Sequence, residues 1–247
     1  MIEAGTIQRL ATQYQTTTLN VAREYCQHLF LSSCYQHHAA SRVLFKGGTA
    51  LRILYGSPRF SEDLDFSGIG IRPPAIEELI TDTLSAMERV GMAPELEEAK
   101  ATSGGYLGII RYRFLDYHVE IQLEISLRAR GALQPETTLV ASELLPAYTV
   151  AHLPQETLVE EKLQALLDRA RPRDFYDLYF ILRKGLLPRP NRSLLKAALA
   201  RLQSVKPEVL HELKLFLPRD QQSLMKDFRA ILERELRRFL GHEGAAH

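Results

Sequence analysis

The chain has 247 residues, 45% hydrophobic and 25% charged, with a formal net charge of +1. That is an ordinary globular balance, long enough to bury a core in one large domain or two modest ones. No apolar run nears the roughly 18 residues of a membrane span. Cys26 and Cys34 alone make neither a disulfide framework nor a zinc spacing.

The opening stretch, MIEAGTIQRLATQYQ, is polar and lacks the basic-then-apolar layout of a signal peptide. A soluble, cytoplasmic protein with no membrane partner is the expectation. Residues 19–36 place Val21, Ala22, Tyr25, Cys26, Leu29 and Phe30 at helical spacing, with the cysteines as small core groups. The run Val43–Phe45 reads as a short buried strand leading into Gly47-Gly48. Residues 50–55 read as a short helix that Thr49 caps and Gly56 and Pro58 end. In DLDFS, Asp63 and Asp65 fall on one face of a strand and Leu64 and Phe66 on the other. Pro73-Pro74 opens a helix running to about Val90, which Gly91 ends.

Residues 106–115 and 117–127 predict an antiparallel pair around Asp116-Tyr117. There Val119, Ile121, Leu123 and Ile125 alternate cleanly with Glu120, Gln122, Glu124 and Ser126. YTVAHL, at 148–153, is a further strand. Beyond Pro154 the pattern is helical, over about 155–169, 173–184, 191–203, 206–216 and 219–240. No repeat or low-complexity tract appears. The expected fold class is α+β: residues 1–154 form a mixed-sheet module with an N-terminal helix, and 155–247 a helical one.

Net charge near zero hides an asymmetry. Residues 1–161 carry 13 Lys and Arg against 20 Asp and Glu, and residues 162–247 carry 18 against 10. Two solvated faces of opposite sign would produce this, and so would a basic surface facing a polyanion.

The stretch KGGTALRILYGSPRFSEDLDF, at 46–66, carries the chemistry. Gly47 and Gly48 allow close backbone approach, and helix-start amides attract phosphate. A simple structural turn explains a glycine pair equally well. Asp63 and Asp65, at i and i+2, repel each other unless a cation sits between them. Magnesium takes carboxylate and phosphate oxygens, and two metals about 4 Å apart can serve nucleotidyl transfer. Glu124 is the natural third carboxylate, as ligand or base; Glu120 satisfies the same spacing. Arg59 and Ser61 either touch phosphate or brace the loop. Lys162 is either a triphosphate-holding amine or a surface lysine whose stem covers apolar neighbours. Arg173, Asp174 and Asp177 open a helix and suit capping and i, i+4 pairing. His37-His38, adjacent on the chain, reads as a loop or helix end and not as a metal pair.

LFKGGTALRILYGSPRFSEDLDFS, IQLEIS and VEEKLQALLDRARPRDFYDLY resemble, in order, the signatures of the AbiEii/AbiGii nucleotidyltransferase toxins of AbiE-type toxin–antitoxin systems, to which the MenT toxins are related. The resemblance implies a DNA polymerase β-like nucleotidyltransferase core with a helical C-terminal region, and magnesium and NTP as ligands. It implies a cognate antitoxin and, from some relatives, the tRNA 3′ end as acceptor. It assigns metal binding to Asp63, Asp65 and Glu124, and catalysis to these with Lys162 and Asp177. Nucleotide binding falls to Lys46, Gly47, Gly48, Thr49, Arg59, Ser61, Lys162, Arg173 and Asp174. The turn is Gly-Gly-Thr where the wider superfamily has Gly-Ser, which is usual within the toxins. The expectation is a magnesium-dependent nucleotidyltransferase whose basic half, especially 226–239, cradles RNA. Its rivals are a transferase acting on a protein or small molecule, and a non-catalytic NTP-binding protein that docks a partner.

Overall fold

The computed structural model describes residues 1–127, 134–187 and 191–241, excepting the side chains of 207–209 and 211. The chain divides into two compact units, Met1–Pro154 and Gln155–His247. Among the described residues, no helix is long and apolar enough to cross a membrane.

The first unit begins with α1 (Ala4–Gln13) and α2 (Thr18–Cys34), then a 3₁₀ turn at His38–Arg42. There follow β1 (Val43–Lys46), α3 (Gly47–Tyr55), β2 (Leu64–Gly68), α4 (Pro73–Arg89), β3 (Pro94–Thr102), β4 (Gly105–Phe114), β5 (Tyr117–Ser126), β6 (Glu136–Val140) and β7 (Tyr148–His152). The seven strands form one mixed sheet in the order β3-β4-β5-β2-β1-β7-β6. β2 runs parallel to β5 and β1 parallel to β7; the other neighbours are antiparallel.

Local chemistry sets the element ends. The Thr17 hydroxyl accepts from the Asn20 amide and starts α2. Gly56, at φ 76°, ends α3 in a left-handed conformation that costs glycine nothing. Alternation in β5 works as read: Val119, Ile121, Leu123 and Ile125 are buried, while Glu120 and Glu124 are exposed. Rings crossing from α2 show which face is covered, since Tyr25 lies 5.6 Å from Phe114 and His28 meets Tyr148 edge-on at 5.8 Å. The Tyr35 hydroxyl, 2.7 Å from the Val43 and Ala151 carbonyls, ties β1 to β7. Cys26 and Cys34 are free and buried, and burial pushes the Cys34 thiol up to about 12.

Three elements escape the pattern reading. α1 buries Ile7, Leu10 and Ala11 on one narrow stripe within an otherwise polar stretch. β3, PELEEAKAT, has no apolar alternation and lies at the sheet edge. Its charges are held from β4, by Arg111 to Glu97 at 2.8 Å and Arg113 to Glu95 at 3.6 Å. β6 occupies the other edge, where the Thr138 hydroxyl meets His152 Nε2 at 2.8 Å.

The second unit contains α5 (Gln155–Arg169), α6 (Pro172–Lys184), α7 (Arg192–Ser204), 3₁₀ segments at Pro207–Phe216 and Arg219–Lys226, and α8 (Phe228–Gly241). The continuous helix expected over 219–240 is therefore two elements, and 206–216 is not α-helical. Asp227 leaves the helical region at φ −119°, and its carbonyl accepts the first bond of α8 from the Ile231 amide at 3.0 Å. Phe228, fixed against Tyr176 and Tyr179, anchors that new start.

His28 provides a pH test. Its imidazole is buried against the Tyr148 hydroxyl at 2.7 Å, and burial lowers its pKa from 6.5 to about 4 despite the nearby Glu24 carboxylate. A depressed folded-state pKa adds stability above the unfolded value that is lost as pH falls toward the folded one. The unfolding free energy from urea titrations should fall as pH drops from 6.5 toward 4, by about 3 kcal/mol through this residue. A His28→Gln variant should show a shallower fall over that window; an unchanged slope would contradict the assignment.

Candidate active site

The candidate residues of the first unit meet where β1 turns into α3 and β2 lies alongside. The strand register aligns Lys46 of β1 with Asp65 of β2, and Asp65 with Glu124 of β5. Aligned residues on adjacent strands share a face, so the two carboxylates stand side by side with the amine on Asp65's other flank. Asp63 lies just before β2, half-buried like Asp65, while Leu64 and Phe66 point into the core. Glu120 is two alternations further along β5 and pairs with Arg111 at 3.2 Å; Glu124 is the one beside Asp65. Gln122 donates to Glu124 at 2.5 Å from the same strand face.

The glycines have a concrete reason. Gly47 takes φ 81°, and a Cβ there would meet the Asp65 carboxylate, with Asp65 Cβ only 2.7 Å away. A Cβ on Gly48 would lie 2.5 Å from Arg59 Nη2 and 2.9 Å from Ser61 Oγ. Both positions exclude a side chain because site residues already pack on the backbone. The start of α3 thus faces a carboxylate, a guanidinium and a hydroxyl, and no side chain caps it. Thr49 corrects the capping expectation: α3 begins two residues earlier, and the Thr49 hydroxyl donates to the Asp63 carbonyl at 2.5 Å.

Loop 57–62 is braced by groups that spacing did not reveal. Arg52 makes a two-point pair with Glu24, at 2.6 and 3.0 Å, and donates to the Ser57 and Pro58 carbonyls, each at 3.0 Å. Its guanidinium lies 3.5 Å over the Phe60 ring. Arg59, 3% exposed, donates to the Phe60 carbonyl at 3.0 Å. The available signal was a set of polar residues, Asn20, Glu24, Gln27 and His28, among the apolar positions of the helix; all four are buried.

In the second unit, Lys162 on α5 pairs with Asp177 on α6 at 2.8 Å, with side chains 11% and 1% exposed. Asp174 is gripped by Arg169 at 3.0 and 2.8 Å and accepts from the Arg171 amide at 3.0 Å, which starts α6. Arg169 was not singled out by the sequence. The basic residues of α8 are partly engaged within the unit. Arg229 donates to the Gln203 carbonyl at 2.9 Å, Arg237 pairs with Glu233 at 2.6 Å and Arg238 with Glu235 at 2.8 Å; Arg234 is exposed, as is Lys226 in the preceding 3₁₀ segment.

His37 is the cap of the 3₁₀ turn, as a helix-end reading requires. Its Nδ1 accepts from the Ala39 amide at 3.2 Å, and Nε2 faces Asp82 at 3.2 Å, near Glu78. With Nδ1 accepting, Nε2 carries the proton and donates to the carboxylate.

The mixed sheet thus sets two carboxylates on neighbouring strands beside a glycine-led helix start that no side chain caps. The chain belongs to the nucleotidyl transferase AbiEii toxin family of Type IV toxin–antitoxin systems, whose model matches residues 29–244. Membership implies a nucleotide substrate and an antitoxin partner. Among solved structures it is similar to JHP933 from Helicobacter pylori, with a TM-score of 0.60 and 21% identity, over 91% of this chain and 96% of that one. A second H. pylori structure, described as a candidate nucleotidyltransferase, gives a TM-score of 0.58 and 21% identity over 90% and 98% of the two chains. None of the curated proteins compared shows significant similarity.

Proposed function

We propose that the protein is a magnesium-dependent nucleotidyltransferase toxin that transfers NMP from NTP to the 3′ end of tRNA. The observation that carries this reading is the alignment of Asp65 with Glu124, with Asp63 two residues away and Gly47 against the Asp65 carboxylate. These are hard oxygen donors, partly exposed and closely spaced, a set that fits magnesium and disfavours softer ions. A divalent cation bound there supplies charge to stabilise the oxygens of an in-line displacement.

The chain's own groups do the rest. Amides at the α3 start, with Arg59, Ser61 and Lys46, hold and orient the phosphates. Thr49 contributes its backbone, its hydroxyl being used on Asp63. Glu124 completes the carboxylate set. The acceptor hydroxyl gives its proton to a carboxylate of that set as its oxygen attacks the α-phosphorus; a P–O bond forms, the α–β bridge breaks and pyrophosphate leaves. Lys162, Arg173, Asp174 and Asp177 keep the nucleotide and catalytic roles that the family resemblance gives them. The excess of Lys and Arg in residues 162–247 supports a polyanionic acceptor.

Incubation with total RNA, magnesium and each α-labelled NTP in turn tests the proposal. Label should enter the tRNA band. Label on a protein or small molecule, with no RNA needed, would favour that rival acceptor; nucleotide binding without transfer would favour the non-catalytic one.

A further inference from the structure

The segment Ser61–Asp63 enters β2 without a sheet ladder of its own, yet each of its three successive carbonyls is held by a buried side chain. Gln27, on α2 and 1% exposed, donates through Nε2 to the Ser61 carbonyl at 3.0 Å and the Glu62 carbonyl at 3.1 Å. Thr49, on α3 and also 1% exposed, donates to the Asp63 carbonyl. Two carbonyls facing one amide fix its orientation, because only the NH₂ end can donate, and it has two hydrogens to give.

Each carbonyl thereby gains a partner, and in every case that partner is a side chain brought in from another element. The pinned peptides are the two immediately before Asp63, and their tilt sets the direction in which its carboxylate leaves the chain. Asp65 is fixed independently, by the β1 and β5 registers and by contact with Gly47. The separation of the two carboxylates therefore depends on how firmly the 61–63 segment is held.

We infer that Gln27 is a positioning residue for the carboxylate pair, acting through the Ser61 and Glu62 carbonyls to hold Asp63 at the spacing a divalent cation needs. The inference rests on the reading of Asp63 and Asp65 as metal ligands. Magnesium and manganese are the sensitive probes: magnesium demands near-ideal octahedral geometry at about 2.0–2.1 Å, whereas calcium tolerates irregular geometry at about 2.3–2.6 Å. Partners bonded directly to a metal ligand are worth about 10–100-fold in affinity; Gln27 acts one bond further out, through the carbonyls that orient Asp63, so the low end of that range applies.

The test measures Mn²⁺ binding by the resonance signal of the free ion, with Ca²⁺ as competitor and no nucleotide present. Gln27→Met keeps the length and removes both donors; Gln27→Asn keeps the donors on a shorter arm. Both are compared with wild type and Asp65→Asn, and far-ultraviolet dichroism reports folding. Gln27→Met should bind Mn²⁺ at least about tenfold more weakly than wild type, lose less affinity for Ca²⁺, and Gln27→Asn should fall between. Mn²⁺ affinity within twofold of wild type in Gln27→Met overturns the inference. So does a parallel loss of both ions, or failure of both variants to fold, since either marks a purely structural amide. If wild type binds Mn²⁺ no better than Asp65→Asn, the metal reading itself fails and takes this inference with it.

Discussion

Asp65→Asn should reduce nucleotide transfer at least about a thousandfold, equivalent to several kcal/mol of lost charge stabilisation. Asparagine keeps the shape that packs over Gly47 and leaves the β1 and β5 registers undisturbed. Relief of repulsion with Glu124 offsets the lost attraction to Lys46, so the melting temperature should stay within a few degrees. Initial rates with saturating NTP, beside a melting curve, separate the two effects. A folded Asp65→Asn protein with wild-type turnover would remove the carboxylates from the mechanism.

Lys162→Ala should be the most damaging single change for the second unit. The Asp177 side chain is 1% exposed and receives the Lys162 amine at 2.8 Å. Breaking a buried ion pair by deleting one partner takes a charge-assisted bond from a desolvated carboxylate, at a cost of about 3–5 kcal/mol. A residue that only reached out to a triphosphate would cost little in the unliganded protein. The decisive comparison is Lys162→Met alone and combined with Asp177→Asn, which removes the carboxylate's charge as well. Thermal stability should drop sharply in the single variant and recover largely in the double one. NTP affinity of the recovered double variant then reports whether the amine also meets the nucleotide. An undiminished melting temperature in Lys162→Met would show that the pair contributes nothing to the fold.

The site was legible in proportion to how local its signals are. Asp63, Asp65, Gly47 and Gly48 lie within one short stretch, and clean alternation put Glu124 on the polar face of its strand. Choosing Glu124 over Glu120 needed the β2–β5 register, which periodicity does not encode. The purpose of Gly47 was visible only in three dimensions, because it clears space for Asp65 and Gly48 does so for Arg59 and Ser61. The Arg52–Glu24 pair and the Gln27 contact with Ser61 span 28 and 34 residues of sequence. Only their polarity among apolar helix positions could have flagged them.

The fold followed the same rule. β4 and β5 announce themselves because one face is buried and the other exposed. β3 does not, since its glutamates are held at an edge by arginines of the next strand. The break at Asp227 was hidden because the residues on either side share helix-like spacing. The expected basic face running from Lys226 to Arg237 is correspondingly interrupted, with Arg229 and Arg237 committed to neighbours inside the unit.

In the proposed reaction, NTP is cleaved between the α- and β-phosphates and the nucleotide goes to an RNA end. The most direct measurement is the stoichiometry of pyrophosphate released to nucleotide incorporated at the tRNA 3′ terminus, with and without magnesium. One pyrophosphate per nucleotide added is expected, and no reaction once the metal is chelated. Release of inorganic phosphate in place of pyrophosphate, or turnover that persists in excess chelator, would contradict it.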